Sequence, residues 1–182
     1  MIDPPFDALR NAIYHGERRT FLDRANRFFN VMIIILGAAA AGKLFHHLNI
    51  DFDYLDMSVV VLATFQTIFD IGGRARTHEF LQKQYYSLLA EIDLDEDLDV
   101  EAMKRKYGPK LMELYSEEPM TMRVLDALAY NKAWSSMATD EDEAVKKSLR
   151  VGPISTHLRN FWAFHNTIFQ TVEKWQEGKQ KS

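Results

Sequence analysis

The alternation of apolar and polar positions along this chain predicts helices throughout. Phe28 to Gly42 (FFNVMIIILGAAAAG) is an apolar run of 15 residues broken only by Asn30, and Met57 to Phe69 (MSVVVLATFQTIF) is a second of 13. After them, Phe80, Leu81, Tyr85, Leu88, Leu89 and Ile92 recur at helical spacing and predict a helix over 77–92. It can continue the second run, with Gly72-Gly73 as a flexible point. The acidic stretch Asp93 to Asp99 (DLDEDLD) reads as a solvated linker whose last residue N-caps the next helix. That helix is expected to reach Tyr107, to be interrupted at Gly108-Pro109 and to resume as far as Tyr115. A break at Ser116 to Pro119 follows, with Pro119 suited to the first turn of a helix from Met120 to Met137. Thr139 and the acids after it begin another helix, ending near Arg150. Gly152-Pro153 then sets off a last amphipathic helix from Ile154 to about Glu177. Its apolar face, including Leu158, Phe161, Trp162, Ile168 and Trp175, suits core packing or an inner membrane surface. The expected fold class is all-α.

The charges around the two apolar runs sharpen that picture. Arg18, Arg19, Arg24 and Arg27 precede the first run, and Arg74, Arg76 and Lys83 follow the second. Residues 46–73 carry Asp51, Asp53, Asp56 and Asp70 but no Lys or Arg. This is the pattern of a two-helix transmembrane hairpin with both ends in the cytoplasm. Length argues the other way, because a span needs about 20 apolar residues to cross a hydrocarbon core about 30 Å thick. Snorkelling by Arg27 and Lys43 would lengthen the first span. The competing expectation is a soluble or peripheral helical protein with both runs in its core.

Small and polar residues inside the runs suggest roles. Gly37/Ala41 and Ala38/Gly42 are small-xxx-small pairs, which let helices approach closely in lipid. Thr64, Gln66, Thr67 and Asp70 lie in or at the end of the second run, where lipid would force them to face protein or water. They would either line a polar conduit in an assembly of hairpins or seal a helix–helix contact. The segment Gly37 to Lys43 also fits GxxxxGK, the phosphate-cradling loop of nucleotide-binding proteins. Leu44 stands where that loop needs a magnesium-binding hydroxyl, and four consecutive alanines favour helix instead.

Composition excludes several chemistries. The 182 residues contain no cysteine, so there is no disulfide framework and no thiolate nucleophile or zinc ligand. The net charge of -4 does not point to nucleic acid. The 47% hydrophobic content is ordinary, and a mean hydropathy of -0.27 confines any lipid-embedded part to a small fraction of the chain. No apolar core of a signal peptide is visible at the N-terminus. The six histidines, at 15, 46, 47, 78, 157 and 165, form neither HExxH nor ExxH spacings, so no metal or other cofactor is expected. No GxSxG-type nucleophile motif occurs, and the sequence does not argue for an enzyme.

A family resemblance rests on short segments in a fixed order. Arg74-Ala-Arg-Thr-His78-Glu-Phe-Leu81 is followed by Tyr86-Ser-Leu-Leu-Ala-Glu-Ile92, then by Glu117-Glu118-Pro119-Met120, then by Arg123-Val-Leu-Asp-Ala-Leu-Ala-Tyr-Asn131-Lys132. With the basic N-terminal helix and the hairpin, this order is similar to the SLATT domains, two-transmembrane effectors found beside nucleotide-second-messenger synthases and sensor domains in bacteria. The chain departs from that pattern at Tyr130 and Lys132, where His and Glu are common. The resemblance implies a basic N-terminal helix over 1–27, a hairpin over 28–73 and a cytoplasmic helical domain over 74–182. It implies a homo-oligomeric effector in the bacterial inner membrane, both termini cytoplasmic, that permeabilises the bilayer in defence. The trigger would be a sensor protein or a nucleotide second messenger. In that scheme Thr64, Gln66, Thr67 and Asp70 line or gate the path, and Arg74, Arg76 and His78 couple it to the cytoplasmic helices. The alternative is an all-helical interaction or scaffold protein without catalytic activity.

Overall fold

In a computed structural model, which describes residues 3–42, 52–95 and 97–180, the chain is all-α. The helices among the described residues are α1 (Pro4–Gly42), α2 (Phe52–Phe69), α3 (Ile71–Asp93), α4 (Val100–Glu117), α5 (Arg123–Met137), α6 (Glu141–Lys147), α7 (Pro153–Leu158) and α8 (Val172–Gln180). The chain divides into two compact units. One consists of Met1–Arg18 with His78–Ser182, and the other is Arg19–Thr77.

The first unit is built on a stripe of small residues that the sequence reading passed over. Ala8, Ala12 and Gly16 follow one another at i, i+4 and i+8 on α1. Ala8 and Ala12 are buried in one cluster with Leu81, Tyr85, Leu88 and Ile92 of α3 and Tyr107 and Leu111 of α4. A Cβ on Gly16 would come within 2.6 Å of the amide end of the Gln82 side chain, which would have to swing aside. A second cluster joins Tyr14 of α1 to Leu125 and Ala129 of α5. Phe6 adds edge-on ring contacts with Tyr130 and Trp134. Arg10 clamps the Asp126 carboxylate with two hydrogen bonds of 2.8 and 2.5 Å.

Local signals explain most helix ends. The Asp99 carboxylate accepts a hydrogen bond from the Ala102 amide and caps α4, as its position predicted. Gly152 caps α7, with Pro153 in its first turn. Asp140, not Thr139, caps α6. Other expectations are corrected as well. Pro109 does not interrupt α4, whose buried face of Tyr107, Gly108 and Leu111 carries the helix through the missing backbone bond. Pro119 lies in the connection before α5, which starts at Arg123. Asp95 in the acidic linker is tied down, accepting hydrogen bonds from Lys106 and, at 2.5 Å, from Tyr107 Oη.

The largest correction concerns the C-terminal helix. No single helix runs from Ile154 to Glu177, because α7 ends at Leu158 and α8 begins at Val172. Tertiary hydrogen bonds compete with the helical ladder here. The Arg150 amide donates to Gln170 O at 2.9 Å, and the Val172 amide donates to Ser148 O at 2.9 Å. Together with the antiparallel bridge between Leu149 and Thr171 they close residues 150–171 into a loop.

The second unit pairs the later part of α1 with α2. Leu22, Ile71 and Ala75 form its buried cluster, with Phe21, Ala25 and Phe29 against it. The Phe29 and Phe65 rings lie 5.4 Å apart. The bend between α2 and α3 falls at Asp70, not at Gly72-Gly73. Asp70 adopts a left-handed φ of 39°, which aspartate tolerates better than most residues. Its Oδ1 accepts from the Gly73 amide at 3.0 Å, at the start of α3. Its carboxylate fills the space where a Cβ on Gly73 would stand, so Gly73 makes room for this contact.

Candidate functional site

Two features hold the chemistry, one in each unit. In the first unit a buried polar junction gathers residues from α1, α3 and the α4–α5 connection. His15 and His78 are 0% and 5% exposed, and their Nδ1 atoms lie 2.7 Å apart. At that separation one ring carries the hydrogen and the other offers its lone pair, so the pair holds at most one extra proton. His15 Nε2 faces Glu118 Oε1 at 3.4 Å, and the same oxygen accepts a hydrogen bond from Tyr85 Oη. The His15 and Tyr85 rings stack 5.6 Å apart. Tyr14 Oη accepts from the Met122 amide at 3.0 Å.

The protonation of this junction follows from burial. Desolvation, and then the neighbouring His15 and Arg18, hold the His78 imidazole down at about 3, so it is neutral. Burial and the hydrogen bond to Glu118 push the Tyr85 hydroxyl far up, so it remains a donor. With both rings buried, the junction is a packed hydrogen-bond network. His78 and Glu118 meet in the junction. Asn131 clamps the Leu149 backbone, donating to its carbonyl at 2.8 Å and accepting from its amide at 2.6 Å.

A pH dependence follows. Neutral in the folded state and titrating near 6.5 when unfolded, His78 leaves the unfolded chain with more bound protons below pH 6.5. Its contribution to stability is complete above pH 6.5 and is lost as the pH falls towards 3, by up to about 1.4 kcal/mol per pH unit. Urea unfolding between pH 7 and 4.5 is expected to show this slope, and His78→Gln to flatten it.

In the second unit the polar residues of the apolar runs are distributed unequally. Gln66 Nε2 donates to Asn26 Oδ1 and Asn30 Oδ1, each at 2.8 Å, and so ties α2 to α1. Thr67 bonds back to the Ala63 carbonyl of its own helix at 2.8 Å. Thr64, Thr67 and Asp70 are exposed. A Cβ added to Gly37 would meet nothing within 4 Å, and Ala38 is exposed, whereas the neighbouring Ala39 is buried. The side chains of Ala41 and Gly42, and the whole of Lys43 and of the His46-His47 pair, lie outside the described residues. The incomplete phosphate-loop motif ends among them. Arg74 and Arg76 are exposed on α3. His78, expected beside them in a coupling role, is buried in the first unit's junction.

Large apolar side chains are exposed along both helices of this unit. On α1 they are Phe28, Val31, Ile34 and Ile35, and on α2 Met57, Val60, Val61 and Ile68 are all more than 50% exposed. Isolated exposed apolar residues are commonplace, but a belt on two helices marks a surface meant for lipid or protein. Among the described residues no helix is long and apolar enough to cross a membrane. No known family model, curated protein or solved structure matches this chain.

The sequence reading did not find the junction. His15 and His78 are 63 positions apart in the chain and belong to no metal or catalytic spacing. The available signal was His15 continuing the Ala8–Ala12 stripe at i+7, on a face otherwise made of small residues.

Proposed function

We propose that the chain is a membrane-embedded oligomeric effector whose apolar hairpin enters the bilayer and opens a path through it. A sensor protein or a nucleotide signal acting on the helical unit would be the trigger. The observation that carries this reading is the exposed apolar belt of α1 and α2, on helices tied together by Gln66 with Asn26 and Asn30. Lipid supplies the missing partner for the belt, while the amides satisfy one another across the two helices, as a low-dielectric surrounding requires. The charge pattern supports both ends on the cytoplasmic side of a bacterial inner membrane. The open space at Gly37 and the exposure of Ala38 suit close approach by a second copy.

In an assembly, the exposed Thr64, Thr67 and Asp70 would line or gate the path, and Gln66 would hold the hairpin together. Leakage of a small dye from proteoliposomes tests this. Asp70→Asn keeps the turn and its tolerance of a positive φ while removing the charge. The expected result is leakage reduced several-fold, with reconstitution unchanged. Equal leakage from both proteins would remove Asp70 from the path, and no leakage from either would remove the pore.

A second reading has its own support. That no described helix is long and apolar enough to span is compatible with a soluble or peripheral helical scaffold, with the belt covered by a protein partner. It requires a detergent-free, monodisperse protein.

A further inference from the structure

Residues 144–172 contain no Asp or Glu, although the chain has 26 acids. The same stretch carries Lys146, Lys147, Arg150 and Arg159, a charge of +4 within a chain of net charge -4. It also holds apolar side chains facing outward: Ile154 at 75% exposure, Trp162 at 67% and Ile168 at 87%.

The exposure is built in, because the loop is fastened on several sides. Its ends are joined by the backbone pairing of 148–150 with 170–172. Arg18 Nη1 donates to Asn160 O at 2.6 Å, and the Arg123 amide donates to Ala163 O at 3.2 Å. Phe164 is held in a left-handed conformation with φ 52°, a costly state for an aromatic residue that persists only when its surroundings impose it. The backbone is thus turned inward to its anchors and the apolar side chains outward. Trp162 follows Arg159 by one helical turn's spacing, and Arg150 stacks over Trp175 at 4.0 Å.

We propose that the closed loop 150–171 is a lipid-docking loop that seats Trp162 and Ile168 at the headgroup–acyl boundary of an anionic bilayer. Tryptophan favours that boundary because its ring is apolar and its N–H is polar. The loop itself carries Arg150 and Arg159 and no carboxylate, which complements the negative surface of anionic lipids, a surface that attracts each Lys or Arg and repels carboxylates. A protein partner or a second copy would bury the apolar residues equally well, but the loop's own basic charge favours lipid phosphates. Part of the charge is already compensated, since Lys147 pairs with Glu143 at 2.5 Å and Arg159 lies 3.7 Å from Glu17. Lys146 and Arg150 are therefore the residues to test. The proposal concerns the first unit and stands independently of hairpin insertion.

The test uses the full chain with Trp134→Phe and Trp175→Phe, which leaves Trp162 as the only tryptophan. Trp134→Phe is a mild change, because the buried Trp134 Nε1 has no hydrogen-bond partner to lose. The protein is mixed with vesicles of phosphatidylcholine, with or without phosphatidylglycerol, carrying bromine at a shallow acyl position. With phosphatidylglycerol, Trp162 emission should shift to the blue and be quenched. Arg150→Gln should weaken the partitioning about 5-fold, from the roughly 1 kcal/mol each basic residue contributes near an anionic surface. Ile168→Ser should weaken it as well. Carbonate extraction of the same vesicles reports the hairpin separately. A carbonate-resistant protein with unquenched Trp162 would overturn the docking loop alone, and an extracted protein with quenched Trp162 would overturn the hairpin alone. A lipid-independent blue shift that rises with protein concentration would assign the loop to contact between copies and overturn the proposal.

Discussion

Glu118→Ala should lower the unfolding free energy by about 3 kcal/mol, one of the two largest effects expected from single changes in this protein. The carboxylate is the acceptor for Tyr85 Oη and faces His15 Nε2, and both of those residues are 0% exposed. Removing it leaves the buried Tyr85 hydroxyl and a buried ring nitrogen of His15 without the carboxylate they face. Buried polar groups left unpaired cost more than a hydrogen bond contributes when made. Glu118→Gln keeps an acceptor and loses the charge, so it should cost about half as much. Tyr85→Phe removes the donor itself, leaves an accepting Glu118 that is partly solvated, and should cost only about 1 kcal/mol. Chemical unfolding in one buffer measures all three. The order Glu118→Ala, Glu118→Gln, Tyr85→Phe is the signature of a closed junction, and three equal losses would show that the network does not form.

Ile34→Arg and Val60→Arg carry the second large effect, and its size depends on the solvent. These side chains are 68% and 63% exposed and lie on the outward belt of α1 and α2. In water, substitutions at such positions change stability by no more than about 0.5 kcal/mol. In the middle of a bilayer each arginine costs about 3 kcal/mol, or roughly 100-fold in the insertion equilibrium. The membrane reading therefore expects each variant to lose membrane association while the thermal transition of the helical first unit is unmoved. A scaffold reading expects neither property to change, unless the belt docks a protein.

The parts of the fold legible in the sequence were those fixed by local chemistry. Asp99, Gly152-Pro153 and the Ser116 to Pro119 break sit where capping and ring geometry place them, and the structure uses them in those places or within a few residues. What the sequence hid depended on distant partners. The period of Ile154 to Trp175 is helical, yet Gln170 and Val172 spend their backbone groups on Arg150 and Ser148. Pro109 looked like a breaker because its cost is local, whereas the compensating burial of Tyr107 and Leu111 is tertiary. The small pairs at Gly37 to Gly42 drew attention because they sit in an apolar run. The alanines that pack helices within the first unit, Ala8 and Ala12, lie among charged residues where no pattern stood out. The division of the structure into compact units falls elsewhere than the boundary read before Arg74. The unit containing His78 to Ser182 also includes Met1–Arg18, which supplies Ala8, Ala12 and His15 to its core.

Gln66 shows how far the candidate site could be read. The sequence left two roles open, conduit or seal, because a polar residue in an apolar run has to face something polar. Its hydrogen bonds to Asn26 and Asn30 supply the seal, and those partners could not be inferred because they lie 40 and 36 positions earlier, the first of them before the apolar run begins.

The most direct test of the central claim is carbonate-resistant fractionation of the full chain expressed in bacteria, beside Ile34→Arg with Val60→Arg. The membrane reading expects the unaltered chain in the membrane pellet and the doubly substituted chain largely in the supernatant. Both chains in the supernatant, folded and monodisperse without detergent, would contradict it and leave the exposed belt to a protein partner.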